Sequence, residues 1–386
     1  TMKKLALVLG SLLVVGSVAS AKEVMPAPTP APEKVVEYVE KPVIVYRDRE
    51  VTPAWRPNGS VEVELRNWGE VEGHKGKDKY WNGKDYWTQL RTTTKINFTE
   101  KQSLKIHTRN NYGLKRANNE LADSQRLELV HTYKFGNLGS TKIDARLETK
   151  FRHELEKEDG NHGPYGEKFV EIKPVFDFSE YFFKNDYVKA TALELAPFYR
   201  YVWGAPTEAS DRYANIYGLY ANAEFDLPWG MTFQAEFDDG IFAYGRENRN
   251  SYNVGEDLTA KYGNVELTLT KEFQLYKSAK NDLRLHLEGV YETSYSWSKK
   301  DDASVGEFGT VRGNGKRERL GGYKAKFDPA IVYNFKATDY VTLYTRVGAE
   351  YQNRSKSVDS YSSTNRHGAK HWRWQPYARV GFKATF

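Results

Sequence analysis

The last fifteen residues of the chain alternate between apolar and polar side chains with a period of two. One face of this pattern consists of Trp372, Trp374, Pro376, Ala378, Val380, Phe382, Ala384 and Phe386. The other face consists of Arg373, Gln375, Tyr377, Arg379, Gly381, Lys383 and Thr385. Successive side chains of a strand point to opposite faces, so the pattern predicts a long strand with one apolar side. In a transmembrane barrel the apolar side meets lipid, aromatic residues lie at both interfaces, and the polar side lines the lumen.

The same alternation recurs along the chain from residue 59 onwards. It predicts strands at residues 61–65, 86–98, 104–114, 127–135, 143–151, 170–178, 193–203, 213–227, 231–237, 265–275, 283–297, 323–335, 341–351 and 372–386. The alternation changes phase near residues 262–264. The predicted connections are alternately short and long, and single-chain bacterial barrels have an even number of strands. We therefore predict an all-β fold, a transmembrane antiparallel barrel of about 14 strands that occupies residues 59–386.

Two different segments precede the predicted barrel. Lys3 and Lys4, an apolar stretch at residues 5–18 and the Ala-Ser-Ala tripeptide at residues 19–21 predict a signal peptide that is cleaved after residue 21. Residues 22–58 begin with a Pro-rich run that favours an extended spacer. We expect this segment to be periplasmic. The alternatives are entry into the lumen and a tether to periplasmic partners.

Composition changes this interpretation little. The mean hydropathy is −0.72, but a low value does not argue against a barrel, because every second barrel residue can be polar. Aromatic residues make up 14% of the chain, and they are typical of the interfaces of a membrane barrel. There is no cysteine, so disulfides and thiolate metal sites are excluded. The formal net charge of +6 is mild and mixed in sign, which argues against a nucleic-acid partner.

The predicted register assigns the charged strand residues to the lumen. A lysine or arginine that faces lipid at the middle of the bilayer costs about 2–4 kcal/mol, so the polar face is expected to point inwards. The predicted basic wall consists of Arg91, Lys95, Lys105, Arg109, Lys324, Lys326, Arg346, Arg373, Arg379 and Lys383. The predicted acidic wall consists of Glu224, Asp226, Glu236, Asp238, Glu266, Glu288 and Glu292. Because the last strand pairs with the first, these walls are expected to face each other across a solute pore. The alternative is solvated charge without a role in selectivity.

Other classes of function find less support. Of the histidines, only His107 and His286 clearly face the predicted lumen, and no motif gives either one a nucleophile. The sequence has no phosphate-binding loop and no metal-ligand spacing, so we expect no enzyme activity, cofactor or metal. Residues 22–58 are too few for the plug of a gated transporter. A surface adhesin that uses loops 298–320 and 353–371 is the alternative function.

Several segments resemble a known family. The segments are MKKLALVLGSLLVVGSVASAKEVMPAPTPAPEKVVEYVEKPVIVYRDREV, AWRPNGSVEVE, KINFTEKQSLKI and HWRWQPYARVGFKATF, and the chain resembles the FomA-type major outer-membrane porin of fusobacteria over essentially its whole length. The resemblance implies a trimeric, voltage-gated general diffusion porin that also acts as an adhesin towards other bacteria. Phe382 and the terminal Phe386 resemble the closing-strand signal that the outer-membrane insertion machinery recognises. No lumen residue is assigned from the family.

Overall fold

The structure is a computed structural model that describes residues 55–72, 86–113, 125–156, 165–203, 213–244, 259–298, 303–304, 310–311, 323–353 and 372–386. The predicted signal peptide, residues 22–54 and most of the predicted long loops lie outside these ranges. No helix in the described part of the chain is long and apolar enough to cross a membrane.

Fourteen strands form one closed antiparallel barrel in chain order. They are β1 (Asn58–Trp68), β2 (Trp87–Asn97), β3 (Gln102–Gly113), β4 (Gln125–Asn137), β5 (Asp144–Glu156), β6 (Tyr165–Asp177), β7 (Lys189–Trp203), β8 (Tyr213–Leu227), β9 (Met231–Tyr244), β10 (Thr259–Lys277), β11 (Asn281–Ser298), β12 (Tyr323–Lys336), β13 (Val341–Asn353) and β14 (Trp372–Thr385). A two-residue ladder also joins Ala303–Ser304 to Thr310–Val311. The predicted fold class, an antiparallel barrel of fourteen strands, is confirmed.

The ring closes where the first strand pairs with the last. β1 and β14 pair from Ser60 opposite Thr385 to Trp68 opposite Tyr377. Beyond this ladder the backbones of Gly59 and Phe386 exchange two further hydrogen bonds, of 2.9 and 3.1 Å. The carboxy-terminal residue therefore takes part in the closure, and no strand edge is left open along this seam.

The connections differ at the two ends of the barrel. At one end, which we call the short-turn end, the connections are residues 98–101, 138–143, 178–188, 228–230, 278–280 and 337–340. At the other end, which we call the long-loop end, the connections are residues 69–86, 114–124, 157–164, 204–212, 245–258, 299–322 and 354–371. These connections are longer than those of the short-turn end, except that 178–188 is as long as 114–124 and longer than 157–164 and 204–212. Asn58 and Thr385 both lie at the short-turn end, as an even number of strands requires.

The apolar set of strand residues forms the outer face. Large side chains such as Leu65, Val347 and Val380 are about half exposed there, with no protein packed over them. Side chains of the polar set instead touch across an intervening strand. Arg109 of β3 reaches Glu154 of β5 at 2.8 Å across β4, as expected on the concave side of a barrel, where side chains converge. The polar set is therefore the inner face.

One detail of the predicted pattern is wrong. β10 pairs continuously with β9 from Thr259 to Lys271, so no phase change occurs near residues 262–264. Tyr262 takes an inner register position opposite Gly240, and Gly263 takes an outer one. A tyrosine at an inner register position and a glycine at an outer one reverse the apparent polarity of the pattern without any shift of register between β9 and β10. The real register shift lies between Gln274 and Tyr276.

Candidate functional site

Strand pairing places every residue of the predicted basic and acidic walls at an inner-face position. Residues directly opposite one another in a ladder point to the same side of a sheet. Glu64, for example, is opposite both Arg91 of β2 and Gly381 of β14, and the same parity continues around the ring without conflict. The inner face therefore carries both sets of charges, and their partners decide what each can do.

Three rows of like charge cross the inner face, each made by directly opposite residues on three neighbouring strands. The first arginine row consists of Arg126, Arg109 and Arg91 on β4, β3 and β2. The second arginine row consists of Arg66, Arg379 and Arg346 on β1, β14 and β13. The glutamate row consists of Glu236, Glu266 and Glu292 on β9, β10 and β11. Like charges directly opposite one another destabilise a sheet, so each row needs compensation or serves a purpose.

The first arginine row is compensated in part. Arg109 and Arg126 both pair with Glu154, at 2.8 and 2.7 Å. Arg91 instead donates a hydrogen bond to the neutral Gln89. Glu64 is directly opposite Arg91 on β1 but pairs with Arg66. Among the described residues, no carboxylate forms an ion pair with Arg91.

The second arginine row shows the same division. Arg346 pairs with Asp328 at 2.8 Å, and Tyr377 donates a 2.7 Å hydrogen bond to the other oxygen of Asp328, which is fully buried. A Cβ atom on Gly348 would lie 2.8 Å from the Tyr377 hydroxyl, so the glycine makes room for this arrangement. Arg379 lies over the Tyr377 ring, 4.6 Å from its centroid, and no described carboxylate pairs with it.

Part of the acidic wall is neutralised by part of the basic wall. Lys324 pairs with Glu292 at 3.2 Å, and Lys326 pairs with Glu288 at 2.8 Å. These four residues lie on the neighbouring strands β12 and β11, so they meet within the barrel wall. We predicted from the sequence that these residues would face one another across the lumen, and for these four residues that prediction is wrong.

Three other predicted acidic residues, Glu224, Glu236 and Glu266, accept hydrogen bonds from uncharged side chains. Glu236 accepts hydrogen bonds from Tyr220 and Gln234, and Glu224 accepts one from Gln234. Glu266 accepts a hydrogen bond from Thr268. In the described chain no lysine or arginine forms an ion pair with these carboxylates or with Asp226, which is exposed. These carboxylates lie on β8, β9 and β10.

The inner face of β14, β1, β2 and β3, which we call the cation-rich region, contains eight cations and only two carboxylates. The cations are Arg66, Arg91, Lys95, Lys105, Arg109, Arg373, Arg379 and Lys383. The carboxylates are Glu62 and Glu64. Arg66 pairs with Glu64, and Arg109 pairs with Glu154 of β5. In the described part of the chain no carboxylate forms an ion pair with the other six cations. β8 is seven strands from β1 in either direction around the ring, so the unpaired carboxylates lie on the far side of the barrel.

Sequence reasoning missed several residues of this inner face. Arg66 and Arg126 complete the arginine rows, although the period-two pattern of β1 and β4 already places them on the polar side. The inner face is also not polar throughout, and the part on β6, β7 and β8 was not predicted from the sequence. A buried apolar cluster lies there, consisting of Phe169, Phe198, Val202 and Ile216. The signal for it is a pair of apolar neighbours, such as Phe169 and Val170, on what would be opposite faces of a strand.

The two lumen histidines contact different groups. The Nδ1 atom of His107 lies 2.9 Å from the Thr93 hydroxyl, with no described carboxylate placed to orient the ring. His286 lies between Glu272 and Glu288, at 3.4 and 3.6 Å. Within the described ranges, no group of three or more His, Asp or Glu residues is arranged to hold a metal ion.

Comparison of the sequence with protein-family models and with curated proteins finds no match. Comparison with solved structures finds similar outer-membrane barrels. The chain aligns with a bacterial polysaccharide outer membrane secretin at 10% identity and a TM-score of 0.31, covering 85% of this chain and 98% of the other. It aligns with OmpT, an outer membrane protein of Vibrio cholerae, at 9% identity and a TM-score of 0.29, covering 86% of this chain and 97% of the other. It aligns with an anion-selective porin from Comamonas acidovorans at 10% identity and a TM-score of 0.30, covering 86% of this chain and 99% of the other. These low similarities do not bear on function.

Proposed function

We propose that this protein is a general diffusion porin, a passive channel for ions and small hydrophilic solutes across a bacterial outer membrane. The observation that carries the proposal is the uncompensated charge on the inner face of a closed barrel, with cations on one side and carboxylates on the other. A structural role alone does not require inner-face charges, such as those of Arg91, Arg379 and Glu236, that have no ion-pair partner among the described residues.

The outer face supports the membrane location. It presents half-exposed apolar side chains such as Leu65 and Val347, which lipid would cover. The closed ring satisfies the backbone hydrogen bonds of every strand, which the bilayer core demands. We propose that the short-turn end is periplasmic and that the long-loop end is extracellular.

The inner face supports conduction. Fourteen strands enclose more space than inward side chains alone can fill. Lys95, Lys105 and Asp226 are exposed on the inner face, as expected for side chains that contact water. Facing cations and carboxylates produce a transverse field that sorts solutes by charge and weakens as salt rises. The channel is therefore expected to be weakly selective.

The proposal also includes an oligomeric state, a mode of gating and a signal for membrane insertion. The FomA-type resemblance supports a homotrimer, voltage gating, and recognition of Phe382 and Phe386 by the insertion machinery. In the structure, Phe382 lies opposite Val63 of β1 and Phe386 is exposed, so both are placed at the closing seam. The alternative adhesin function depends on loops 298–320 and 353–371, nearly all of which lie outside the described residues.

The test is electrical. Purified, heat-modifiable protein is reconstituted in a planar bilayer, and single-channel conductance and reversal potential are recorded at several salt concentrations. We expect discrete steps whose conductance rises with salt. Joint neutralisation of Arg91, Lys95, Arg373 and Arg379 should shift the reversal potential towards cation preference. Silence from correctly folded protein would overturn the porin proposal and favour the adhesin.

A further inference from the structure

Two lysines near the short-turn end are directly opposite each other on the inner face. Lys95 of β2 and Lys105 of β3 are ladder partners, and both side chains are exposed. We call them the lysine pair. Directly opposite residues have Cβ atoms about 5 Å apart, and like charges at that separation destabilise a sheet.

The surroundings of the lysine pair do not compensate it. Its neighbours in the same ladder row are the uncharged Ser60 and Val130. The nearest carboxylates on the ladders, Glu62 and Glu128, are diagonal neighbours, and neither forms an ion pair with the lysines within 4.0 Å. Glu62 instead accepts a 2.8 Å hydrogen bond from Tyr344. Within the described residues the lysine pair therefore has no carboxylate in ion-pair contact, and an anion from solution can take that place.

Four lysines elsewhere on the inner face have ion pairs. Lys150, Lys173, Lys324 and Lys326 each pair with a glutamate, at 3.7, 3.0, 3.2 and 2.8 Å. All four are less exposed than the lysine pair. Lys134 and Lys383 are exposed inner lysines that, like Lys95 and Lys105, form no ion pair within the described residues. The lysine pair therefore differs from the four paired lysines in having no glutamate in ion-pair contact.

The lysine pair also continues a line of unpaired positive charge. Arg91 and Lys95 both lie at inner positions of β2, and Thr93 is the one inner residue between them. Lys383 lies on β14 near the same end of the barrel and is also exposed. An anion that leaves the arginine rows towards the short-turn end would meet the lysine pair next.

We propose that the lysine pair binds small multivalent phosphate anions as they pass through the lumen, an inference that rests on the proposed channel function. Two adjacent ammonium groups favour a ligand with at least two negative charges, because one such ligand can contact both groups at once, whereas one chloride ion neutralises only one of them. Phosphate groups offer several strong acceptor oxygens, lysine is a common phosphate binder, and rings of basic side chains favour anions in pores.

The test uses inorganic tripolyphosphate as the probe and two matched double variants. Lys95→Gln/Lys105→Gln removes the lysine pair. Lys324→Gln/Lys326→Gln removes the same number of positive charges from the inner face, but from lysines that are ion-paired. Block of the potassium chloride current is recorded in planar bilayers, and binding to the folded protein in detergent is measured by calorimetry, which needs no conduction.

We expect tripolyphosphate to block the unmodified channel. The half-blocking concentration and the dissociation constant should both rise about tenfold in the lysine-pair variant, as expected for the loss of about 1.4 kcal/mol of binding. The control variant should change both values by less than about threefold, the effect of the general lumen charge alone.

Equal weakening in both double variants would overturn the proposal, because it would show that only the total lumen charge matters. A conducting channel that neither binds nor is blocked by tripolyphosphate would overturn it too, and would leave the porin proposal intact. Binding that is lost only in the lysine-pair variant, from a protein that never conducts, would support the site and reject the porin.

Discussion

Two regions of the same inner face use charge in opposite ways. On the inner face of β5, β6 and β7, which we call the paired region, cations and carboxylates interleave. Arg146 contacts Glu148 and Glu194 at 2.8 and 2.7 Å, and Arg200 contacts Glu171 at 2.8 Å. In the cation-rich region, cations oppose cations, and carboxylates are few.

The difference follows from register and burial. In the paired region, opposite charges share ladder rows, as with Glu171 between Lys150 and Arg200. Arg200 also lies over the buried ring of Phe169, 4.7 Å from its centroid, so its charge needs a close partner. The side chains of the lysine pair are exposed, so their charges do not need a close partner of opposite sign. Charge in the paired region holds strands together, whereas charge in the cation-rich region is available to solutes.

The largest expected effect comes from breaking the paired region. Glu171→Gln removes a carboxylate whose side chain is only 3% exposed and leaves Arg200 without its ion-pair partner. Removal of one partner of a buried pair should lower the free energy of unfolding by about 3 kcal/mol. The measurement is urea unfolding in detergent, followed by the heat-dependent shift on gels. Asp226→Asn, at an exposed carboxylate, is the control and should change stability by less than about 0.5 kcal/mol. Equal losses in both variants would contradict the distinction.

Neutralisation of the unpaired arginines should change selectivity and leave stability nearly intact. Arg91→Gln/Arg379→Gln should lower the chloride-to-potassium permeability ratio about threefold, because it removes uncancelled positive charge from the lumen. The measurement is the reversal potential in a salt gradient. Lys150→Gln/Lys173→Gln removes equal charge from the paired region. Its shift should be smaller, because Arg200 and Arg146 still neutralise Glu171 and Glu148.

The opposite wall should act with the opposite sign and a smaller magnitude. Glu236→Gln/Glu266→Gln should raise the chloride-to-potassium permeability ratio, by about twofold, because Glu292 still carries its charge beside Lys324. The same change relieves repulsion between directly opposite carboxylates and should stabilise the barrel by a few tenths of a kcal/mol, about 0.3. A shift towards cation preference would contradict the assignment of these residues to the conduction path.

The smallest effect is expected from salt alone. The Debye length falls from about 10 Å at 0.1 M to about 3 Å at 1 M, so the fields of the two walls should reach less of the lumen. The permeability ratio of the unmodified channel should therefore approach unity across this range. Tripolyphosphate block should weaken in parallel. A ratio that does not change with salt would point to a narrow, dehydrated filter.

Much of the fold was predictable because a membrane barrel repeats one simple rule. Alternation in segments such as Trp372–Thr385 separates the two faces, and a charge in lipid is costly enough to set the register. The inner position of Arg91 and of Glu266 follows from parity alone. The apolar cluster around Phe198 was not predictable in this way, because a residue with apolar neighbours on both faces gives no signal of which face is buried.

By itself the sequence determined the class of fold, the approximate strands and the face on which each charged residue lies. Only the tertiary structure decided which charges are neutralised. Lys324 and Lys95 look alike in the sequence, yet β11 brings Glu292 against one, and β3 brings Lys105 against the other. The reason is physical: alternation is local along a strand, whereas an ion pair depends on the register between strands that can be far apart in sequence.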